Sequence, residues 1–147
     1  AQARAQARMI GIDAVTLFAG ERPAAEIPSY LLAADLLVSP RSRGTNTPLK
    51  IYQYLRSGKA IVATHLLTHT QVLSDQTAIL TAATAEEFAA GILTGLNEPE
   101  RAAALGQRAQ ELADTKYSYE AYLERTRHAC AALLPTLQPG AVVKDLA

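Results

Sequence analysis

Two short apolar runs, separated by a polar loop and a short helical pattern, constrain the fold of this chain more than any other feature. The first comprises the three residues before Ser39, and the second covers residues 60–63. Between them, Thr47 and Pro48 are the residue types preferred at the N-cap and first position of a helix, so the sequence predicts a helix start there. The free backbone N–H groups and dipole of such a start favour an anion. Residues 39–64 are therefore the first candidate for a functional site.

The charge pattern of the same region is one-sided. Residues 36–74 contain no Asp or Glu, whereas the whole chain balances 14 basic against 14 acidic residues. The basic residues of this segment are Arg41, Arg43, Lys50, Arg56 and Lys59. An acid-free segment in a neutral chain can present a local positive field, which suits a phosphate-bearing ligand better than a long polyanion. The alternative is that these cations are solvated and point in different directions around a helix.

Short apolar runs alternate with helical patterns along the chain, which predicts an α/β fold: a Rossmann-like parallel sheet with helices on both faces. Strands are predicted at residues 14–19, 36–39, 60–63 and 78–82, and helices over 1–10, from about 28 to 34, after Thr47, after Thr84, after Pro99 and from about Ser118. Thr84 and Glu87, three residues apart, form a capping-box pair. The predicted domain covers residues 1–134, and Pro135 begins a C-terminal tail over residues 135–147.

Ligands of such sheets bind beyond the carboxyl ends of the strands. Residues 39–48 follow one predicted strand and residues 64–70 follow the next, so both segments are expected at one rim of the sheet. The rim and the positive charge thus select the same part of the chain.

Several function classes are disfavoured by composition and motifs. The single cysteine, Cys130, excludes an internal disulfide and fits a reducing, cytoplasmic compartment. No apolar run approaches the roughly 20 residues of a membrane-spanning helix, although peripheral membrane association stays open. His65 and His69 lack a nearby carboxylate or Cys, so no metal and no other cofactor is expected. The absence of GxGxxG disfavours a dehydrogenase-type domain, and the neutral charge disfavours nucleic-acid binding.

Two stretches carry a resemblance to a known family: VTLFAGERPAAEIPSYLLAADLLVSPR (15–41) and NTPLKIYQYLRSGKAIVAT (46–64). Over about residues 15–122, the chain resembles the nucleotide-sugar-binding C-terminal domain of retaining glycosyltransferases with the GT-B fold, of the group 1 (family 4) type. The resemblance implies transfer of a sugar, of the hexosyltransferase type, from a nucleotide-diphosphate sugar donor to an unknown acceptor. It also implies that the first strands of the domain and the whole N-terminal domain are missing, so the isolated fragment is expected to be a poor catalyst.

The family usually carries two glutamates eight residues apart, and Thr45 and Gln53 stand at those positions here. In relatives the second glutamate hydrogen-bonds the ribose hydroxyls of the donor, and Gln53 could do so only as a neutral amide. A branch of the family with N(T)PLKxYEYL also lacks the first glutamate, and this chain resembles that branch. The alternative function is a non-catalytic nucleotide-sugar-binding or scaffold module that has lost these carboxylates.

The resemblance and the rim together define the candidate site residues, whereas the catalytic residues stay unknown. In the family, this loop and helix start hold the donor diphosphate and sugar. The substrate-binding candidates are Arg43, Thr45, Asn46, Thr47, Pro48, Leu49, Lys50 and Gln53, with Arg41, Thr68, His69 and Thr70 as weaker candidates.

Overall fold

The computed structural model describes residues 2–133, which fall into two compact units that divide in sequence between Tyr30 and Leu31. The helices are α1 (Gln2–Met9), α2 (Ile27–Ala33), α3 (Lys50–Arg56), α4 (Leu67–Thr70), α5 (Ala85–Asn97), α6 (Pro99–Lys116) and α7 (Tyr119–Leu133). The strands are β1 (Leu36–Ser39), β2 (Ala60–Thr64) and β3 (Ile79–Thr81). The predicted tail over residues 135–147 and the helix end at Pro135 lie outside the described residues.

The first unit begins with α1, as the run of good helix formers predicts. Its C-terminal end is closed by two backbone hydrogen bonds, from Ile12 N–H to the Ala7 carbonyl at 2.9 Å and from Gly11 N–H to the Arg8 carbonyl at 3.2 Å. Gly11 has φ +75°, the left-handed conformation that this helix end requires and that glycine adopts without steric penalty.

The predicted strand at residues 14–19 is wrong. Residues Asp13–Val15 form a 3-10 turn instead, and Val15 and Leu17 are 86% and 87% exposed. A strand requires a neighbouring backbone with which to exchange hydrogen bonds. The backbone here makes local turn bonds instead, from Val15 N–H to the Ile12 carbonyl at 3.2 Å and from Thr16 N–H to the Asp13 carbonyl at 3.3 Å. Its apolar composition alone therefore does not produce a strand.

The second unit contains a parallel sheet in the order β1-β2-β3, which confirms the other three predicted strands. Leu36 pairs with Ala60 and Val62 pairs with Ile79, so β2 lies in the middle. Every residue of β2 is buried, as expected of a short apolar run in the centre of a parallel sheet.

Helices cover both faces of this sheet, which confirms the predicted fold class. Ile61 and Ala63 of β2 pack in one cluster with Ile51 and Leu55 of α3 and with Ala109 of α6. The intervening residue Val62 belongs to a second cluster that contains Ile79, Leu105, Phe88 and Ile92, the last two from α5. Alternate side chains of a strand point to opposite faces, so the two clusters are the two layers of the core.

Within residues 2–133, no helix is both long enough and apolar enough to cross a bilayer.

Candidate functional site

The rim formed by the carboxyl ends of the strands brings the two predicted site segments together. Ser39 ends β1 and Thr64 ends β2, and both side chains are buried. The segments that follow them are in contact, because the Thr68 hydroxyl donates to the Asn46 carbonyl at 2.6 Å. The sequence-based expectation that residues 39–48 and 64–70 meet at one rim is confirmed.

His69 occupies the centre of this rim and is fully buried. Its Nδ1 lies 2.9 Å from the Thr64 carbonyl oxygen, and its Nε2 lies 2.9 Å from Ser39 Oγ. A carbonyl oxygen only accepts, so Nδ1–H donates to Thr64, and Nε2 of the neutral ring accepts from the Ser39 hydroxyl. The ring therefore joins the ends of β1 and β2, and protein atoms occupy both of its nitrogens.

The surroundings favour the neutral form of this imidazole. Burial lowers the pKa of His69, the hydrogen bond to the Thr64 carbonyl raises it, and the positive charges of Arg41 and Lys50 lower it further. The net effect is a pKa below the ordinary value for histidine. The ring thus acts at neutral pH as a hydrogen-bonding link and adds no positive charge to the rim.

The loop of residues 42–47 lies over α4 and is held there by side chains of α4 and of the residue that follows it. Gln71 Nε2 donates to the Thr45 carbonyl, in addition to the contact between Thr68 and Asn46. Gly44 has φ +135°, and a Cβ atom at this position would lie 3.0 Å from Arg41 Nη1. Any residue other than glycine would strain this turn.

The predicted N-cap at Thr47 is wrong. Helix α3 begins at Lys50, its N-cap position is Leu49, and no side chain caps it. A 3-10-type hydrogen bond from Ile51 N–H to the Pro48 carbonyl, 3.0 Å long, tightens the first turn instead. The tertiary contact of the preceding loop with α4 keeps Thr47 outside the helix, and this contact prevails over the local capping preference.

Two cations, Arg41 and Lys50, lie close enough to influence each other at the rim. Lys50 Nζ lies 5.5 Å from the centre of the Tyr54 ring, although most of the side chain is exposed. Partial burial of its ammonium lowers the pKa of Lys50, and the charge of Arg41 lowers it further. The single ion pair found among residues 2–133 joins Arg101 to Glu98, so no carboxylate neutralises the rim.

The remaining candidates differ in their exposure. Leu49 is 83% exposed, Thr47 and Pro48 are half-buried, and the hydroxyl of Thr70 is turned back to the Leu66 carbonyl of its own segment, at 3.2 Å. Arg43, Thr45, Asn46 and Gln53 are exposed. The exposed residues and Lys50 can contact a ligand directly, whereas His69 and the Thr68 hydroxyl are engaged with the protein.

A cavity of about 450 Å³ opens beside Arg41 at the same rim. Its walls include Pro40 and Thr64 from the strand ends and Phe88 and Ile92 from α5. Another cavity, of about 490 Å³, includes Asp35, Lys59 and Ala60 and lies at the amino ends of β1 and β2, away from the cationic rim.

Sequence reasoning missed Ser39, Thr64 and Gln71 as members of this hydrogen-bonded cluster. A signal for the first two was present, because each is a hydroxyl residue that directly ends an apolar run. Nothing in the local sequence distinguishes Gln71. In the part of the chain that the structure describes, no three His, Cys, Asp or Glu residues lie together as metal ligands would.

Comparisons with known proteins identify the family of the chain and agree with its fold. A family model described as glycosyl transferases group 1 matches residues 1–98. No curated protein sequence matches the chain significantly.

Solved structures share the fold at low sequence identity. Sucrose-phosphate synthase from Thermosynechococcus elongatus is 18% identical with a TM-score of 0.82, over 92% of this chain and 34% of that one. HepE of Anabaena, in complex with UDP-glucose, is 19% identical with a TM-score of 0.81, over 90% of this chain and 36% of that one. The C-terminal domain of LpcC, a group 1 family protein from Francisella tularensis, is 20% identical with a TM-score of 0.70, over 80% of this chain and 62% of that one. The chain thus spans about a third of the length of the first two proteins.

Proposed function

Because the chain belongs to the group 1 family of glycosyl transferases, we propose that it is the donor-binding part of an enzyme that transfers a sugar from a nucleotide-diphosphate sugar to an acceptor. The chain also has the α/β fold of solved GT-B glycosyltransferases. The proposal also includes retention of configuration, a hexose as the transferred sugar, a partner N-terminal domain and a cytoplasmic location.

The observation that carries the proposal is the pair of cations at the rim, Arg41 and Lys50, which no carboxylate among residues 2–133 neutralises. The departing nucleoside diphosphate gains negative charge as the glycosidic bond breaks, and fixed positive charges stabilise that charge in the transition state. The HepE structures contain UDP, UDP-glucose, or UDP and glucose, which supports a nucleotide-sugar donor here.

The candidate residues divide between the parts of such a donor. Lys50 and Arg41 would contact the diphosphate, with Arg43 and the amides of the 42–47 loop as further donors. Gln53 lies three residues after Lys50 on α3 and so faces a similar direction, where its amide would hydrogen-bond the ribose hydroxyls. Positioning the donor in this way contributes to catalysis without a metal or another cofactor.

The direct test is a titration of the 147-residue chain with UDP, GDP and ADP, followed by amide NMR shifts. We expect shifts clustered over residues 41–53, and we expect Lys50→Ala to weaken binding at least about tenfold, because a charge-assisted hydrogen bond contributes roughly 1.5–3 kcal/mol. Lys59→Ala is the matched control, since Lys59 precedes β2 at the opposite end of the sheet. Equal losses in both variants, or shifts scattered outside the rim, would contradict the assignment.

The replacement of both family glutamates, by Thr45 and Gln53, favours a second candidate: a nucleotide-sugar-binding or scaffold module without catalysis. Gln53→Glu separates the two functions, and Gln53→Ala serves as its control. If the chain is a donor-binding part adapted to glutamine, Gln53→Glu should lower nucleotide affinity, because the added negative charge lies near the diphosphate. If the chain is a module that has lost its carboxylates, Gln53→Glu should raise nucleotide affinity.

A further inference from the structure

The loop of residues 42–47 depends on very few contacts. Among the described residues, no backbone–backbone hydrogen bond involves any of these six positions. The hydrogen bonds that do reach its backbone come from two side chains, Thr68 to the Asn46 carbonyl and Gln71 to the Thr45 carbonyl. Residues 42–46 are exposed, so water can satisfy the other polar groups of this backbone. The two side-chain bonds are therefore the hydrogen bonds that attach the loop backbone to the rest of the described protein.

The segment that supplies both donors is itself fixed to the sheet. Thr68 is completely buried, and its neighbour His69 is hydrogen-bonded to the ends of β1 and β2. Thr64, at the end of β2, also accepts a hydrogen bond from the Arg41 backbone N–H at 3.3 Å, just before the loop begins. The position of the loop relative to the strand ends is therefore fixed through one short segment.

The direction of the two engaged carbonyl groups determines where the adjacent amides point. In a trans peptide the C=O and N–H bonds are antiparallel, and the described backbone contains no cis peptide. Because the Thr45 and Asn46 carbonyls point towards α4, the N–H groups of Asn46 and Thr47 point away from it. Neither N–H group has a hydrogen-bond partner among the described residues, so both are free to bind an anion.

We propose that Thr68 and Gln71 are positioning residues, which hold the loop by its carbonyl oxygens so that the Asn46 and Thr47 amides face an anionic ligand. This inference rests on the proposed function, with the diphosphate of the donor as that ligand. Neither side chain contacts the ligand itself. Their contribution is the fixed direction of two backbone donors beside the cations Arg41 and Lys50.

The test compares Thr68→Val, which keeps the shape but removes the hydroxyl, with Thr68→Ser, which restores it. Thr94→Val is the matched control, because the Thr94 hydroxyl bonds only the Ala90 carbonyl of its own helix, at 3.0 Å. NMR order parameters of residues 42–47 report loop order without any ligand, and titration with inorganic pyrophosphate and UDP reports binding. Gln71→Ala, at an exposed position, tests the same role should Thr68→Val not fold.

We expect Thr68→Val to lower the order parameters of residues 42–47 and to weaken pyrophosphate and UDP binding about fivefold or more. Thr68→Ser should recover both, and Thr94→Val should change neither. Unchanged order parameters in both Thr68→Val and Gln71→Ala would show that these side chains do not hold the loop, which would overturn the proposal. A loosened loop with unchanged affinity would overturn the positioning role. If the variants loosen the loop but the wild-type chain binds neither compound, Thr68 and Gln71 still hold the loop, and the proposed function is refuted.

Discussion

Replacing His69 by Phe should destabilise the fold by about 3 kcal/mol. The ring is buried at the rim, and Phe retains an aromatic ring there but makes neither hydrogen bond. The Ser39 hydroxyl, buried and bonded only to Nε2 among the described residues, would lose its partner, which costs about 2 kcal/mol. The Thr64 carbonyl would keep its hydrogen bond from Leu66 N–H, 2.8 Å long, so its loss is nearer 1 kcal/mol.

Thermal or urea unfolding of the 147-residue chain measures this loss, which corresponds to a fall in Tm of about 10 °C. His65→Phe is the matched control, because the His65 side chain is exposed, and we expect a change within about 0.5 kcal/mol. Ser39→Ala provides a second check. In the His69→Phe background, Ser39→Ala removes a hydroxyl that already lacks a partner, so the unfolding free energy should hardly change. In the wild type the same substitution leaves Nε2 of His69 unpaired and should therefore be destabilising.

The pH dependence of stability follows from the same ring. The folded-state pKa of His69 is lowered, chiefly by burial, so the unfolded chain binds more protons than the folded chain once the pH falls below about 6.5. The contribution of His69 is therefore complete above that pH and is lost as the pH decreases towards the folded-state pKa. In His69→Phe this part of the acid destabilisation should disappear, whereas in His65→Phe it should persist.

Two results would refute this reasoning. One is a His69→Phe variant whose unfolding free energy equals that of the wild type, since the two hydrogen bonds would then contribute nothing. The other is an identical pH dependence between pH 4 and 7 in both proteins, since the buried ring would then titrate as it does in the unfolded chain.

Three further predictions concern helix packing, helix capping and the charge of the rim. Gly106→Ala should destabilise by about 2 kcal/mol or more despite the better helix propensity of alanine, because its Cβ would overlap the Gly58 carbonyl oxygen. Chemical denaturation measures the loss, and Arg108→Ala, at an exposed site of the same helix, is the control. Thr84→Ala should cost about 1 kcal/mol, because the Thr84 hydroxyl oxygen accepts from the Glu87 N–H at 3.3 Å, and Thr84→Ser should recover most of it in the same assay. Raising the salt concentration from about 0.1 M to about 1 M shortens the Debye length from roughly 10 Å to roughly 3 Å, so calorimetry should show UDP affinity falling several-fold; a salt-independent affinity would contradict a cationic site.

The correct sequence predictions depended on local patterns that the tertiary structure reinforces. The buried run of β2 and the N-cap at Thr84 are two such patterns. The strand at residues 14–19 failed because pairing depends on a distant backbone rather than on the apolar run itself. The cap at Thr47 failed for a related reason, since the bond between Thr68 and Asn46 joins residues 22 apart. Contacts of this kind are not encoded in local residue preferences.

The charge of the rim was predictable because the absence of acidic residues over 36–74 is visible in the sequence, whereas the neutral state of His69 required the structure. The two observations are connected. A protonated ring would be a third positive charge beside Arg41 and Lys50, and burial away from water would make that charge costly. The hydrogen bonds to Ser39 and Thr64 satisfy the ring in its neutral form, so the cations remain concentrated on the loop and helix above it. The positive charges of Arg41 and Lys50 thus lie beside a neutral, hydrogen-bonded His69, and no carboxylate in the described part of the chain compensates them. An anionic ligand would stabilise this arrangement further.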